Sequence, residues 1–343
     1  MLQILPSNLT AWAIQPIKKT DVSAPMLNAI LSPVAARSVV VLCAVLLVLA
    51  APLFFVGGPD WVSSTLLKNL WNFGHVVFFA LLLVVVQWFV PLTHWHQWLG
   101  VTLLALLLGA TVEVVQHFVG RHASWGDLFN NLVGVWLGLF WGQHLGAAPY
   151  PNRVRWARAL SLLLIGPALW LVVEAAWAEL SLRRAFPLVN SFESRAEWQQ
   201  LGFNPARIGL QPSTTAVSHG EQSLQVDLMA GGYSGLRLRV CYGDWQGFNV
   251  VAMDLFNPEA DPMPLVLRLS DVIHDRGDNH YDDRFNRALL LQPGWNRLRF
   301  AIADIARSPK QRSMQLDALC NLGIFAADLP RPRRFYLDNI RLE

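Results

Sequence analysis

Five polar residues stand at regular spacings in and between two strongly apolar segments. Glu113 and Gln116 are three residues apart in the first segment, and Asp127 and Asn131 are four apart in the second. Arg121 lies in the short break between the segments. Spacings of three and four place side chains on one helix face. A charged group near hydrocarbon costs about 3 kcal/mol or more, so the cluster predicts either mutual hydrogen bonding or a ligand.

Three uses of this polar cluster stay open from the residues alone. Helix caps and interhelical hydrogen bonds would make it structural, with Asp127 capping the second helix. A ligand site is the second use. The third is catalysis, in which Glu113 with His75 or His117 would form an acid–base pair. The sequence has no accompanying nucleophile motif and no metal-ligand spacing such as His-Glu-x-x-His.

The composition changes sharply near residue 181. Of the 343 residues, 53% are hydrophobic and only 15% are charged, against roughly 25% charged in soluble domains. Long apolar runs fill the first half, and segments with mixed charges fill the second. The net charge of +3 is too small and too scattered for nucleic-acid binding. We expect a cytoplasmic segment at 1–37, a membrane domain at 38–181 and a soluble domain at 187–343.

Five apolar runs approach the roughly 20 residues that a membrane-spanning helix needs. They cover residues 38–56, 70–90, 98–119, 128–145 and 159–180, and the fourth is the shortest. The fourth run carries Gly134, Gly138 and Gly142 at spacings of four, which allow helices to approach closely. The first half is therefore predicted to be an α-helical transmembrane bundle of about five spans.

Basic residues near the runs predict their orientation, because Lys and Arg concentrate on the cytoplasmic side. Three precede the first run and three precede the fifth: Lys18, Lys19, Arg37, Arg153, Arg155 and Arg158. Only the pair Arg183 and Arg184 follows the fifth run. The amino terminus is therefore expected in the cytoplasm and residues 187–343 outside.

One ordered pattern links the polar cluster across both apolar segments. It reads V-E-V-V-Q at 112–116, G-R at 120–121 and D-L-F-N-N-L-V-G-V-W-L-G at 127–138. This pattern resembles the VanZ-like family of bacterial membrane proteins over about residues 65–145. The family's polar positions fall on Glu113, Gln116, Arg121, Asp127 and Asn131. Its earlier helix opens Lys-x-x-His, where His75 matches and Asn72 replaces the lysine.

The VanZ-like resemblance implies a fold more than a reaction, and it implies the bacterial inner membrane as the location. The family is linked by name to glycopeptide-antibiotic resistance. The polar cluster with His75 is accordingly predicted to bind or position a membrane lipid or a lipid-linked glycan of the cell envelope.

The second half of the chain carries short strands with period-two alternation. They cover residues 223–228, 236–241, 250–256, 265–269, 288–291, 297–302 and 335–342. Many short strands without helical periodicity predict an all-β, two-sheet antiparallel jelly-roll sandwich. Cys241 and Cys320 are its only cysteines. An oxidising compartment would permit a bridge, and the sequence leaves open whether they pair.

Four short motifs recur in a known class of sandwich. F-E at 192–193, H-G-E-Q-S-L-Q-V at 219–226, P-G-W-N-R-L at 293–298 and Y-L-D-N-I-R-L at 336–342 resemble carbohydrate-binding modules of the galactose-binding-like class. The resemblance implies a polysaccharide or cell-envelope glycan as partner. It also implies a structural Ca²⁺ between Glu193 and Asp338, although two ordinary surface carboxylates would fit the same sequence.

Exposed aromatic rings with polar groups around them are the usual contacts for sugars. The candidates in the sandwich are Tyr233, Trp245 and Tyr281. No pair of carboxylates can be placed across a cleft, so the sequence does not support glycoside hydrolysis.

The whole pattern predicts a multi-pass binding or adaptor protein of the bacterial envelope with an outward glycan-binding domain. Two alternatives stay open. One is a membrane enzyme acting on a lipid-linked envelope precursor, with Glu113, Asp127 and His75 carrying the chemistry. The other is a structural protein whose sandwich contacts another protein.

Overall fold

A computed structural model describes residues 33–54, 58–60, 62–118, 125–142 and 151–343. The chain divides into two units. The helical unit comprises residues 1–57 and 74–166, and the sandwich unit comprises residues 58–73 and 167–343. Most of the predicted cytoplasmic segment, 1–32, lies outside the described residues.

Long helices form most of the described chain before residue 186. They are α1 (Pro33–Ala50, followed by a 3-10 turn at Ala51–Phe54), α2 (Thr65–Phe89), α3 (Trp95–Phe118), α4 (Trp125–Gly142) and α5 (Pro151–Ala185). Within the described residues, α2, α3 and α5 are long and apolar enough to cross a membrane.

Against the five predicted spans, three helices of the described residues therefore qualify by length and composition. The apolar stretch of α1 and its 3-10 turn, Arg37–Leu53, is shorter than each of the apolar stretches of α2, α3 and α5. α4 has 18 residues, but Asp127, Asn130 and Asn131 occupy its first two turns. Polar side chains lower the hydropathy of a short helix more than that of a long one.

Helices α2 and α4 pack with their backbones close together at the predicted glycines. A Cβ on Gly138 would lie 2.5 Å from Leu83 Cβ and 2.6 Å from the Ala80 carbonyl oxygen, closer than real atoms approach. The Gln87 side chain donates a hydrogen bond to the Gly138 carbonyl oxygen at 2.7 Å. The small-residue stripe thus acts as predicted, because only glycine leaves room for the facing helix.

An antiparallel β-sandwich follows the helices, as predicted. Sheet A has the strand order β3-β4-β11-β6-β9, with β1 also paired to β11, and sheet B has the order β2-β5-β10-β7-β8. The strands are β1 (Leu188–Asn190), β2 (Leu201–Phe203), β3 (Ile208–Ser213), β4 (Ser223–Leu228), β5 (Tyr233–Arg239), β6 (Val250–Asn257), β7 (Met263–Asp271), β8 (Phe285–Leu291), β9 (Gly294–Ala301), β10 (Leu319–Ala327) and β11 (Arg333–Leu342).

Alternating apolar residues from both sheets fill the core of the sandwich. On β7, for example, Leu265, Leu267 and Leu269 are buried, while the residues between them are only partly buried. Cys241, just after β5, forms a disulfide with Cys320 on β10. The pairing that the sequence left open is therefore made. Three short helices complete the domain: α6 (Arg195–Trp198), α7 (Val272–Arg276) and α8 (Ile302–Ala306).

The sandwich unit also includes the start of α2 and the end of α5. Arg276 Nε donates to the Asp60 carboxylate at 2.7 Å, and Leu182 belongs to the sandwich core. Between the two helices, Asn69 Nδ2 on α2 donates to the carbonyl oxygen of Leu171 on α5 at 2.8 Å. The amino-terminal end of α2 and the carboxy-terminal end of α5 therefore both lie against the sandwich.

Candidate functional site

The outer face of sheet B presents two rows of side chains away from the core. Strand register aligns Gly235, Phe325, Val266 and Ala288 in one row and Arg237, Gly323, Arg268 and Asn286 in the next. Between them along the strands, Leu236, Ile324 and Leu267 point inward and are buried. Side chains alternate along a strand, so the buried residues assign the others to the outer face.

Two exposed tyrosines stand on this side of the sandwich. The Tyr233 ring is 56% exposed and stacks on Phe325, with ring centroids 4.5 Å apart and an interplanar angle of 28°. A Cβ on Gly235 would overlap Phe325, so glycine is needed for Phe325 to lie flat on the sheet. Tyr281 is 67% exposed, and the Arg284 guanidinium lies 5.3 Å from its ring centroid.

Positive charge lies between the two tyrosines. Burial, followed by the charge of Arg268, lowers the pKa of Arg284, and Tyr233 and Tyr281 oppose the shift. Burial raises the pKa of Tyr233, whereas Arg268 and Arg284 lower it. Arg268 lies in the register row next to that of Phe325, and Arg284 lies beside the Tyr281 ring. Both arginines are only partly exposed.

A partly buried ionic network holds the Tyr281 segment against the sheet. Arg312 Nη2 donates to Asp271 Oδ1 at 2.8 Å, and Arg312 Nε donates to Asp283 Oδ1 at 2.6 Å. Asp271 is fully buried at the end of β7, and Asp283 ends the 3-10 turn that contains Tyr281. This network positions Tyr281 beside the sheet face.

His274 lies buried next to this network. It is 1% exposed, and neither ring nitrogen has a hydrogen-bond partner among the described residues. Its Nδ1 is 3.4 Å from Asp283 Oδ2. Burial, together with Arg268 and Arg284, lowers the pKa of His274 despite nearby carboxylates. The imidazole is thus favoured in its neutral form.

Trp245 is not part of the exposed aromatic surface. It is fully buried and belongs to the sandwich core, so the prediction that it contacts a glycan is corrected. A large apolar ring placed just after β5 gains more from filling the core than from facing water. Of the three aromatic candidates, Tyr233 and Tyr281 remain.

The two carboxylates proposed for calcium both fasten the loop at residues 218–222. Asp338 Oδ2 accepts hydrogen bonds from the Ser218 and His219 amides at 2.7 and 2.9 Å. Glu193 Oε1 accepts from the Glu221 and Gln222 amides at 2.8 and 2.9 Å.

Each of these two oxygens accepts from two backbone amides, and the calcium between Glu193 and Asp338 stays a prediction. The described residues also contain no group of three or more His, Cys, Asp or Glu placed to hold a metal. The predicted calcium gains no support from these contacts.

The predicted membrane cluster is only partly described. His75 on α2 and Asn131 on α4 are both buried, and His75 Nδ1 lies 2.9 Å from Asn131 Oδ1. Asp127 is also buried, one turn earlier on α4. The side chains of Glu113 and Gln116, and the whole of Arg121, lie outside the described residues. The roles predicted for these residues stay predictions.

Sequence reasoning missed three residues of the outer face of sheet B: Phe325, Arg268 and Arg284. Phe325 lies on β10, the central strand of the sheet, which the sequence analysis did not identify. β10 reads L-C-N-L-G-I-F-A-A. The alternation of Leu322, Ile324 and Ala326 around Gly323 and Phe325 is the signal that could have revealed it.

Neither a protein-family model nor a curated protein matches the chain, so the VanZ-like resemblance gains no support. Among solved structures, the sandwich is similar to a family 11 carbohydrate-binding module from Clostridium thermocellum in complex with a β-1,3-1,4-mixed-linked tetrasaccharide. That match has 12% identity, covers 45% of this chain and 93% of that one, and has a TM-score of 0.34.

The CBM22-1 xylan-binding domain of Paenibacillus barcinonensis Xyn10C is similar at 17% identity, covering 46% of this chain and 93% of that one, with a TM-score of 0.31. The solution structure of CtCBM11 is also similar. The identity is 15%, the match covers 45% of this chain and 92% of that one, and the TM-score is 0.36. The sandwich thus resembles carbohydrate-binding modules. Likeness at this level carries no argument about a ligand.

Proposed function

We propose that this chain is a membrane-anchored glycan-binding protein whose ligand lies on the outer face of sheet B. The exposed Tyr233 ring, stacked on Phe325 at 4.5 Å, carries the proposal. A pyranose ring is flat and apolar on one side, so it suits an exposed aromatic ring that is held rigidly from below. Gly235 leaves the space that Phe325 needs to lie flat beneath the Tyr233 ring.

Polar groups beside the aromatic stack support the same function. Asn286 Oδ1 and Arg284 Nε are buried, and neither has a hydrogen-bond partner among the described residues. Buried polar groups are normally paired. Sugar hydroxyls can both donate and accept, so a bound glycan would pair an acceptor and a donor of this kind.

The positions of the helix ends support the proposed membrane anchor. The start of α2 and the end of α5 both contact the sandwich, so they lie on the same side of any membrane that the chain crosses. A chain that leaves one side and returns to it crosses an even number of times. α2, α3 and α5 alone would give three crossings. We therefore infer that α4 crosses as a fourth span, despite its polar first turns.

A crossing by α1 would bring the total to five and place the amino terminus opposite the sandwich. The basic residues of 1–37 support a cytoplasmic amino terminus, which makes the sandwich extracytoplasmic in the bacterial inner membrane. The polar first turns of α4 would then lie near the outer surface, where polar groups cost less than at the membrane centre.

One contact favours a structural role for the membrane cluster. The His75–Asn131 hydrogen bond joins α2 to α4 at 2.9 Å, as an interhelical bond in a bundle would. Binding of a lipid-linked glycan by Glu113, Gln116, Arg121 and Asp127 remains a proposal based on the residue pattern. Chemistry on such a lipid by Glu113, Asp127 and His75 is the competing proposal.

Glycan binding is tested with the full chain in detergent micelles and a panel of soluble polysaccharides, using calorimetry. We expect Tyr233→Ala to lower affinity at least tenfold, a loss of about 1.4 kcal/mol. The matched control is Trp295→Ala, which removes an exposed ring from sheet A that packs on Phe256 at 5.2 Å. Absence of binding by the unaltered chain, or equal losses in both variants, would overturn the proposal.

A further inference from the structure

We infer that the glycan recognised by the outer face of sheet B is acidic, and that Arg268 and Arg284 pair with its anionic groups. This inference rests on the proposed glycan binding and adds the chemical class of the ligand. A neutral glycan would need the aromatic rings and hydrogen-bonding groups only, whereas this face also carries a pair of cations.

Among the described residues, Arg268 and Arg284 lack the carboxylate partner that most arginines of the sandwich have. Most of its other arginines have carboxylates close by, such as Arg312 with Asp283 at 2.6 Å, Arg333 with Glu259 at 2.9 Å and Arg334 with Asp227 at 2.5 Å. In the described part of the chain, neither Arg268 nor Arg284 has a carboxylate within the 4.0 Å of an ion pair.

The nearby acidic groups are committed to other partners. Asp283 pairs with Arg312, and Asp282 pairs with Lys310 at 2.8 Å. Asp275 is buried and accepts hydrogen bonds from the Ser270 hydroxyl and the Asn321 amide. Burial raises the pKa of Asp275 and the charge of Arg268 opposes that shift, so Asp275 offsets only part of the positive charge of this face.

The arginine pair therefore keeps its positive charge on a partly buried surface. Desolvated like charges repel, and an anion placed between them would remove that cost. Arg284 also has a buried Nε without an acceptor in the described structure. Guanidinium groups bind carboxylate, phosphate and sulfate through paired N–H donors, so an anionic substituent fits both the charge and the free donor.

The aromatic and cationic groups are close enough to serve one sugar unit and its neighbour. Arg284 lies against the Tyr281 ring, and Arg268 shares the outer face of sheet B with Phe325, on which the Tyr233 ring stacks. In an acidic sugar the charged group is one or two bonds from the ring. A ring stacked on tyrosine thus carries its anion towards the adjacent arginine.

The test compares glycans that differ only in charge, again with the full chain in micelles. Polygalacturonate is compared with its methyl ester, and dextran sulfate with dextran. The first pair tests carboxylate and the second tests sulfate. At low salt we expect at least tenfold tighter binding of the acidic member in at least one pair. This preference should shrink as salt screens the charges.

Three variants assign the preference to the proposed residues. Arg268→Gln and Arg284→Gln should each reduce the acidic-over-neutral ratio at least fivefold, and Arg268→Lys should restore part of it. The control is Arg297→Gln, because Arg297 is exposed on β9 of sheet A and also lacks a carboxylate within 4.0 Å. Its ratio should not change.

The outcomes separate this inference from the proposed function. Equal binding of acidic and neutral members, still lost in Tyr233→Ala, would overturn the acidic ligand and keep glycan binding. A preference that survives Arg268→Gln and Arg284→Gln would also overturn the inference. No binding of any glycan would overturn both.

Discussion

The two units of the protein expose opposite kinds of side chain. In the helices, Leu103 is 56% exposed and Leu163 is 70% exposed, whereas in the sandwich Leu267 and Leu322 are fully buried. A water-soluble protein rarely shows such large contiguous apolar surfaces. This difference is what the proposed membrane anchor and glycan-binding domain would require of the two units.

Polar groups follow the same division. In the helical unit, buried polar side chains bond to a neighbouring helix, as Gln87 does to the Gly138 carbonyl oxygen and His75 does to Asn131. In the sandwich, charged groups form networks such as Arg312 with Asp271 and Asp283. Ion pairs are common where side chains contact water. A helix that faces hydrocarbon makes its backbone hydrogen bonds internally and carries few charged side chains.

The sandwich should depend strongly on its disulfide. Removing it through the double change Cys241→Ser and Cys320→Ser frees a loop with a sequence separation of 79 residues. Chain entropy predicts a loss of about 4 kcal/mol in the free energy of unfolding. Urea unfolding followed by the fluorescence of the chain's tryptophans, which include the buried Trp245, measures it.

The helical unit should show no such dependence on cysteine. Cys43 in α1 is unpaired, so Cys43→Ser is the control and should leave the urea transition unchanged. Equal stability of the double variant and the unaltered protein would show that the sandwich is held by its core alone.

The next largest effect concerns the ionic network. Burial raises the pKa of Asp271, but hydrogen bonds from Arg312, His274 and Gln315 outweigh it and hold this pKa below its usual range. We expect Asp271→Asn to lower the free energy of unfolding by about 3 kcal/mol at pH 7, because it leaves a charge partly unpaired.

The loss of stability in Asp271→Asn should depend on pH in a defined direction. A lowered folded-state pKa stabilises the protein fully above the unfolded-state pKa of about 3.9. That stabilisation disappears as pH falls through the folded-state value. The difference between Asp271→Asn and the unaltered chain should therefore shrink below about pH 4. A difference that is the same at pH 7 and pH 3 would contradict an electrostatic origin.

The smallest of the three effects tests close packing in the helices. Gly138→Ala places a Cβ 2.6 Å from the Ala80 carbonyl oxygen, and overpacking of this kind costs about 2 kcal/mol. Gly100→Ala is the matched control, since a Cβ there meets no atom within 4 Å. Titration with a denaturing detergent measures both.

The control should be as stable as the unaltered chain or slightly more so, because alanine favours helix over glycine by about 1 kcal/mol. If both variants behave alike, the contact between α2 and α4 does not depend on the missing Cβ.

Strands with clear alternation were predictable, and the others were not. The seven predicted segments all form strands, with β4 at the predicted residues 223–228. β1, β2, β3 and β10 were missed. β1 and β2 have three residues each, and β3 contains Pro212. Short or interrupted segments carry too little periodicity to stand out locally.

The candidate site was predictable only in part for a related reason. Tyr233 and Tyr281 could be selected as aromatic residues near turns, but so could Trp245, which is buried. Aromatic type does not reveal which face of a sheet a residue occupies, because that depends on the register with the partner strand. Arg268 and Arg284 could not be selected from the sequence, because charged residues are common on strand surfaces.

The sequence by itself determined the division into an apolar helical half and an alternating β half, together with the glycine stripe on α4. These properties are local, since each follows from the types and spacing of neighbouring residues. Only the tertiary structure decided the Cys241–Cys320 pair, the burial of Trp245 and the stack of Tyr233 on Phe325 beside two unpaired arginines. Those depend on which strands pair and in which register, and contacts between residues up to 92 positions apart in the chain leave no local pattern.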